Sequence, residues 1–161
     1  MNFTLNDDQL LFRDTVRDLL THEVTAERIR QRWDSATGID SAALKSMVDL
    51  GLTAALVPEA QGGLGLNAVD FILLAEECGR AALPEPIVDS CLVATPMLVD
   101  AGRALDGGNS CLLELLEGIA AGEQTVLCGP SINPYINYAH CADYLLLPHG
   151  NEVHLVAVKD V

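Results

Sequence analysis

The 161-residue chain is half hydrophobic and carries 9 basic against 23 acidic residues, a net charge of −14 at pH 7. This length fits one domain, or one domain and the start of another, and the composition is far from that of disordered chains. Binding to nucleic acid or to an anionic membrane requires clustered lysine and arginine, so this composition argues against both partners. Residues 81–161 hold only two basic residues, Arg103 and Lys159. We therefore expect any anionic ligand to draw its positive charge from elsewhere.

Four helices are predicted in the first half of the chain, each beginning at a short polar side chain that can accept hydrogen bonds from the first turn. Their predicted starts are, in order, Asn6, Thr25, Asp40 or Ser41, and Asn67. Arg28 and Arg32, one turn apart in the second helix, are predicted to lie on its solvent-exposed face. Gly51 is expected to end the third helix, and Pro84 stops the fourth.

The second half of the chain begins as helix and ends as strand. Residues 87–102 predict an almost uncharged helix, buried on most sides, that Pro96 bends or splits. After a loop at 106–109, residues 110–121 predict a last helix. Strands are then predicted at 125–127, 144–147 and 153–158, the last two forming a hairpin. Two or three strands do not bury a sheet face alone, so we expect the sheet to be completed by more of a second domain or by another chain.

Cysteine use and the amino terminus point to the cell interior. The five cysteines are widely spaced and odd in number, which favours reduced thiols. They are Cys78, Cys91, Cys111, Cys128 and Cys141. The first residues lack a basic stretch followed by an apolar core, so no signal peptide is predicted. The longest apolar stretch, 91–99, is too short to span a bilayer. We expect a cytoplasmic protein with no membrane span.

Three patterns suggest chemistry, and each is better explained by structure. The glycine-rich run 61–65 lacks the spacing of a phosphate-binding loop and predicts a tight turn with positive φ angles. Histidines and cysteines between 128 and 154 match no common zinc spacing, which favours structural or surface roles. The adjacent Glu76 and Glu77 point about 100° apart on a helix, so one of them is expected to pair with Arg80 or with a loop amide.

The helix at 91–99 has two interpretations, a central core helix or one wall of an apolar ligand pocket, because both use the same residue types. Periodicity alone does not separate them. The residues by themselves therefore predict a mainly α protein: a helical domain at 1–122 joined to the start of a β domain at 123–161. No catalytic, cofactor-binding or metal-binding residue is assigned.

Two sequence blocks resemble the N-terminal domain of the flavin-dependent acyl-CoA dehydrogenases. Residues 50–66 contain G-L, V-P-E and G-G-x-G in the order used by that family, and residues 75–80, AEECGR, match its E-E-x-G-R on the next helix. Residues 5–14 are similar to the family's first helix. Residues 140–146, HCADYLL, are similar to a strand of its middle β domain. The resemblance covers nearly the whole chain in order.

The resemblance implies an all-α N-terminal domain followed by the first strands of an incomplete β-barrel domain. In the family a C-terminal helical domain follows, and FAD lies between the middle and C-terminal domains. There a C-terminal glutamate removes the α-proton of an acyl-CoA thioester while a hydride passes to the flavin. Helices of the N-terminal domain wall the acyl tail, so the resemblance makes Ile87, Cys91, Leu92 and Thr95 candidates for the acyl pocket.

Two departures from the family pattern limit what this chain is expected to do alone. The family's C-terminal domain, which holds the catalytic glutamate and most flavin contacts, is absent from this sequence. The family's L-T-E-P-x-x-G-S-D stretch is replaced by residues 127–134, LCGPSINP, so no flavin-contacting residue is assigned.

Three roles remain open. We expect this chain to be a fragment or divergent subunit of an acyl-CoA dehydrogenase, which is an oxidoreductase of fatty acid metabolism. We expect the chain to be inactive alone, with FAD bound only in the complete assembly. The alternative is a non-catalytic partner that completes a homo- or hetero-oligomer with an active homologue. A stand-alone helical binding module is the third possibility.

Overall fold

The computed structural model describes residues 4–105, 109–130, 132–133 and 135–160. Helices dominate these residues and a small sheet follows them, which confirms the mainly α prediction. The α-helices are α1 (Asp7–Glu23), α2 (Ala26–Trp33), α3 (Ser41–Asp49), α4 (Ala68–Arg80), α5 (Thr95–Ala104) and α6 (Ser110–Ala120). The strands are β1 (Val126–Cys128), β2 (Tyr144–His149) and β3 (Glu152–Ala157). Most of the loop predicted at 106–109 lies outside the described residues.

Local hydrogen bonds start the helices at the predicted positions. Asn6 and Asn67 each form a capping box, with Gln9 and Asp70 as the reciprocal partners. The two boxes are joined, because Gln9 Nε2 donates to Asp70 Oδ1 over 2.6 Å. For α3, Asp40 is the capping residue of the two that were considered. The amino-terminal ends of α1 and α4 are therefore fixed to one another.

The glycine-rich run forms a tight turn, as predicted. Gly62 and Gly65 have φ angles of 77° and 60°, in the left-handed region that favours glycine. Gly63 is required for a different reason, since a Cβ atom there would lie 1.9 Å from the main-chain oxygen of Val57. The turn therefore packs its own backbone too tightly for any side chain at position 63.

The helix predicted at 87–102 is continuous but changes its winding. Residues Asp89–Ala94 form a π-helical turn, and α5 follows with Pro96 in its first turn. The amide and the Oγ1 of Thr95 both donate to the Ser90 carbonyl five residues back, the latter over 3.0 Å. Because proline has no N–H, the regular ladder is broken there, and the predicted interruption takes the form of a wider turn.

Two clusters of buried side chains hold the helices and the sheet together. The first joins α1, α3, α4 and the π-helical turn, and its largest members are Leu20, Met47, Phe71 and Leu74. The second joins α5, α6 and the sheet, and it includes Leu98, Leu115, Leu116, Ile119, Val126 and Leu146. Because the second cluster contains side chains from both sides of residue 122, the helical layer and the strands share a core. The domain boundary at 122/123 stays a prediction.

The sheet has the order β1-β2-β3. Strand β1 pairs in parallel with β2, with Val126 opposite Tyr144, and β2 forms an antiparallel hairpin with β3. Gly150, with a φ of 61°, makes the hairpin turn. The hairpin predicted from the strand pattern is confirmed. The segment 129–143 connects the two parallel strands.

The side chain of Arg32 on α2 is buried, which is the opposite of the prediction. Arg32 was expected on the solvent-exposed side of α2, yet only 4% of it is exposed. Its Nη2 lies 3.1 Å from Oε1 of the fully buried Glu85 side chain. A carboxylate that is 53 residues away in the sequence therefore decides the orientation of Arg32, and periodicity within α2 contains no sign of it.

Candidate functional site

The helical segment 87–97 presents one face to the core and another to solvent. Ile87, Cys91 and Thr95, spaced four residues apart, are all buried. Val93 and Met97 on the other face are 43% and 41% exposed. The inner face therefore belongs to the core, as one interpretation of this helix predicts, and a ligand-binding role for the helix stays a prediction.

Two of the four acyl-pocket candidates meet at a small cavity between the helical layer and the start of β1. Ile87 and Cys91 line it, with Ile119 and Gln124 on the opposite side, and its volume is about 80 Å³. Sites for drug-sized ligands are roughly 300–1,000 Å³, so this cavity is too small for a long acyl tail. The Oε1 atom of Gln124 is buried without a hydrogen-bond partner among the described residues, so the cavity has polar as well as apolar lining.

The other two candidates do not line this cavity. The hydroxyl of Thr95 is occupied by the Ser90 carbonyl, and the side chain is fully buried. Leu92 is half-buried and packs against the first helical cluster. The structure thus places Ile87 and Cys91 in the lining of the small cavity, and Leu92 and Thr95 are not part of that lining. A role for these four residues in binding an acyl tail stays a prediction.

An open groove of about 360 Å³ runs along the solvent-exposed face of the same segment. Asp89 and Val93 form one wall, and Leu127, Cys128 and Gly129, at the end of β1, form the other. Residues 135–137 close one side. The groove is large enough for part of an extended ligand, and its helical side presents one charged side chain, Asp89, and one apolar side chain, Val93.

Sequence reasoning missed this groove, although one signal was available. Met97 lies beside it, with its Sδ 3.7 Å from Cys128 Sγ. The helix at 87–102 is almost uncharged around its whole circumference, and such a helix has apolar residues on its outer face as well as its inner one. Val93 and Met97 are those outer residues.

Charged groups do not converge on the groove within the described residues. Asp89 is the charged side chain in its lining. Among the residues that the structure describes, every arginine and lysine other than Arg30 and Lys159 has a carboxylate partner. A flavin dinucleotide or coenzyme A carries a pyrophosphate that cationic side chains normally meet. The described residues therefore do not by themselves fit such a group at this groove.

The adjacent glutamates were considered as a carboxylate pair, and the structure separates them. Glu77 is buried and accepts hydrogen bonds from Arg17 on α1 and from Arg80 one turn further along α4. The bond from Arg17 is the largest cause that lowers the pKa of Glu77 to about 2, against the opposing effect of burial. A carboxylate with that pKa is a poor general base at neutral pH. Glu77 joins α1 to α4, and the predicted pairing with Arg80 is confirmed.

The histidines and cysteines have structural surroundings. His140 and Cys141 contact the Thr37 carbonyl, and His149 lies against His154 on the hairpin. In the described part of the chain, no group of three or more His, Cys, Asp or Glu side chains is placed to hold a metal ion.

The five thiols differ in burial. All are free, and burial raises the pKa of Cys78 to about 11 and that of Cys91 to about 12, so both are unreactive at neutral pH. Among the described helices, none is long and apolar enough to cross a bilayer.

Comparison with known proteins shows the class to which this fold belongs. The model of the acyl-CoA dehydrogenase N-terminal domain matches residues 6–104, which is more than half of the chain. The protein therefore belongs to the acyl-CoA dehydrogenase family, and the resemblance seen in the glycine-rich turn and the E-E-x-G-R block is confirmed.

The matches to individual relatives span most of this chain but less than half of each relative. The acyl-CoA dehydrogenase IpdE2 of Mycolicibacterium smegmatis is 28% identical over 147 residues, which are 91% of this chain and 44% of the relative. IpdE2 of Mycobacterium tuberculosis is 26% identical over 117 residues, covering 72% and 36%. The chain thus spans less than half of the curated relatives that it matches.

Solved structures show the same fold. A variant of the Tcur3481-Tcur3483 steroid ACAD superposes with a TM-score of 0.77 at 22% identity, covering 97% of this chain and 49% of the other. The ChsE4-ChsE5 complex from Mycobacterium tuberculosis also gives a TM-score of 0.77, at 18% identity, with 98% and 49% covered. At these identities the likeness establishes the arrangement of helices and strands.

Proposed function

We propose that this chain forms the N-terminal part of a flavin-dependent acyl-CoA dehydrogenase, as a fragment or as a divergent subunit, and supplies its helical scaffold and one wall of the acyl-tail site. The observation that carries the proposal is the open groove between the exposed face of 89–97 and the end of β1. Family membership supports an acyl-CoA thioester as the class of substrate. The apolar lining residues Val93 and Leu127 favour contact with the acyl tail of that substrate, beside the charged Asp89.

The reaction is α,β-dehydrogenation, and FAD supplies the hydride acceptor when it is bound in the complete assembly. The residues of this chain contribute binding and exclusion of water. Val93, Met97 and Leu127 would cover one side of the tail, which orients it and keeps the reacting carbons dry. The proton-abstracting glutamate, the flavin contacts and the cations for the coenzyme A phosphates would come from the rest of the protein or from a partner chain.

This division of roles predicts how binding depends on the acyl chain. Each methylene buried against an apolar wall contributes roughly 0.8 kcal/mol, or about a fourfold gain in affinity. Coenzyme A alone should bind weakly because the groove lacks a cation. Butanoyl-, octanoyl- and dodecanoyl-CoA should therefore bind in order of increasing affinity, and free coenzyme A weakest of all.

The thiol of Cys128 provides the readout, because it lies in the groove and is half-buried. We would measure its alkylation by iodoacetamide at increasing concentrations of each thioester. Dodecanoyl-CoA should protect Cys128, and Val93→Asp should weaken that protection by about tenfold, since it places a charge against the tail. Val69→Asp, at a valine of α4 that is 60% exposed and does not line the groove, is the matched control. Equal protection by desulfo-coenzyme A, which lacks the thiol that would itself consume iodoacetamide, or equal loss in both variants, would show that the groove is not the acyl site.

A second candidate function is a non-catalytic partner that completes an oligomer with an active homologue. The similarity to chains of the ChsE4-ChsE5 complex and the shortage of unpaired cations favour it. The experiment is to purify the chain with a co-expressed acyl-CoA dehydrogenase-like partner and to record flavin absorbance and turnover. If the groove belongs to a working site, Val93→Asp lowers turnover while the complex stays intact. If the chain is only structural, turnover is unchanged.

A further inference from the structure

The loop between α2 and α3 is rigidly built. The Ser35 hydroxyl donates to the Arg32 carbonyl over 2.9 Å and accepts from the amide of Gly38 over 2.9 Å. Gly38 has a φ of 70°, and Asp40 then caps α3. The result is a compact turn that directs the carbonyl of Thr37 toward the β segment.

That single carbonyl accepts two bonds from a region more than 100 residues further along the chain. His140 Nε2 donates to Thr37 O over 2.9 Å, and Cys141 Sγ donates to it over 3.3 Å. Both donors belong to the short helical turn Ala139–Cys141, which follows directly on the 135–137 side of the groove. The α2–α3 loop therefore contacts the segment that forms one side of the candidate acyl site.

A buried ion pair between Arg32 and Glu85 holds the loop in place. Glu85 Oε1 accepts from the amide of Asp40 over 3.2 Å and lies 3.1 Å from Arg32 Nη2. Arg28 Nη2 lies 2.7 Å from Asp40 Oδ2. None of the three guanidinium nitrogens of Arg32 has a well-aligned hydrogen-bond partner among the described residues. A buried pair this poorly satisfied stabilises the fold little, but it fixes one position for the loop.

We propose that the Thr37 loop and the 139–141 turn form a latch between the helical layer and the β segment, with Glu85, Arg32 and His140 as positioning residues that fix the β wall of the groove against the helical layer. The latch itself follows from the contacts above. Its purpose, to hold the groove in shape for an acyl tail, rests on the proposed function.

The test is the rate at which iodoacetamide alkylates Cys141, with each cysteine quantified separately by mass spectrometry. His140→Phe keeps a ring of similar size but removes the donor. Losing one such hydrogen bond corresponds to about a fivefold faster reaction at Cys141. His149→Phe makes the same change at an exposed histidine of β2 that does not contact Thr37, and it should leave the rate unchanged. The buried Cys78 should stay unlabelled in both variants, which shows that the fold is intact.

A second variant tests the anchor. Glu85→Gln removes the charge that faces Arg32 and should also raise Cys141 labelling, whereas Glu77→Gln, at the other buried glutamate ion pair, should not. If Glu85→Gln unfolds the protein, Cys78 will be labelled as well. The His140→Phe variant alone then tests the latch. Wild-type Cys141 labelling in His140→Phe overturns the latch.

The positioning role has its own readout. In the latch variants, protection of Cys128 by dodecanoyl-CoA should weaken. Faster Cys141 labelling with unchanged Cys128 protection would remove the positioning role and keep the latch. If dodecanoyl-CoA does not protect Cys128 even in the wild-type protein, the proposed function fails and the positioning role fails with it, while the Cys141 result stands.

Discussion

Replacing Glu77 by glutamine should make the stability of this protein less dependent on pH. Glu77 is 2% exposed, and its two oxygens accept from Arg17 on one helix and Arg80 on its own. The substitution preserves size and removes the charge. The two arginines then lose their shared partner, and the tie between α1 and α4 is weakened.

The magnitude follows from the pKa of Glu77, which the structure lowers from 4.5 to about 2, mainly through the hydrogen bond from Arg17. That difference corresponds to at most about 3 kcal/mol at roughly 1.4 kcal/mol per unit. The side chains of Arg17 and Arg80 are 42% and 48% exposed, so solvent screens them and they regain water when the pair is broken. We therefore expect Glu77→Gln to lower the free energy of unfolding by about 2 kcal/mol at pH 7.

The direction in which this stabilisation changes with pH follows from the same lowered pKa of Glu77. A carboxyl whose pKa is lowered by folding stabilises the protein above pH 4.5, and this contribution is lost as the pH falls toward 2. Urea denaturation at pH 7, 5, 4 and 3 should therefore show the difference between wild type and Glu77→Gln shrinking below about pH 4.5. Asp49→Asn, in an exposed Lys45–Asp49 pair, should cost less than about 0.5 kcal/mol. A difference for Glu77→Gln that is as small as this control, or that stays constant with pH, would refute the reasoning.

Two further predictions concern the glycine-rich turn and the thiols. Gly63→Ala should destabilise the protein by about 3 kcal/mol, because its Cβ would meet a main-chain oxygen at 1.9 Å. Gly102→Ala on α5 has open space around the new Cβ and should stabilise the protein by up to about 1 kcal/mol. Thermal unfolding compares the two variants, and equal effects would contradict the packing of the turn. Iodoacetamide at pH 8 should label the exposed Cys111 quickly, and it should label the buried Cys78 and Cys91 only after unfolding in urea. Rapid labelling of Cys91 in the native protein would contradict its burial.

Much of the secondary structure was predictable from the sequence because its determinants are local. The cap at Asn67 depends on Asp70 three residues later, and the turn at 61–65 depends on glycines that reach positive φ angles. Interactions between residues three or four positions apart can be predicted directly from the order of the residues. The family blocks lie in these same local features, which is why the fold could be inferred from them.

The candidate site was only partly predictable. The helix at 91–99 was predicted as a core helix or a pocket wall, and the structure adds that Ile87 and Cys91 lie on the inner face of this helical segment and Val93 and Met97 on the outer one. Periodicity indicates which residues share a face, and it contains no information on what covers that face. For a helix that is apolar all round, both faces look alike in the sequence.

The sequence by itself therefore determined the helix starts, the glycine turn, the hairpin and the family. Only the tertiary structure decided that Arg32 is buried against Glu85, that a groove opens beside β1, and that one carbonyl at Thr37 holds the turn at His140. Each of these depends on groups tens of residues apart, whose meeting is set by the packing of whole helices. Local hydrogen bonds define the elements, and packing defines which of their faces meet.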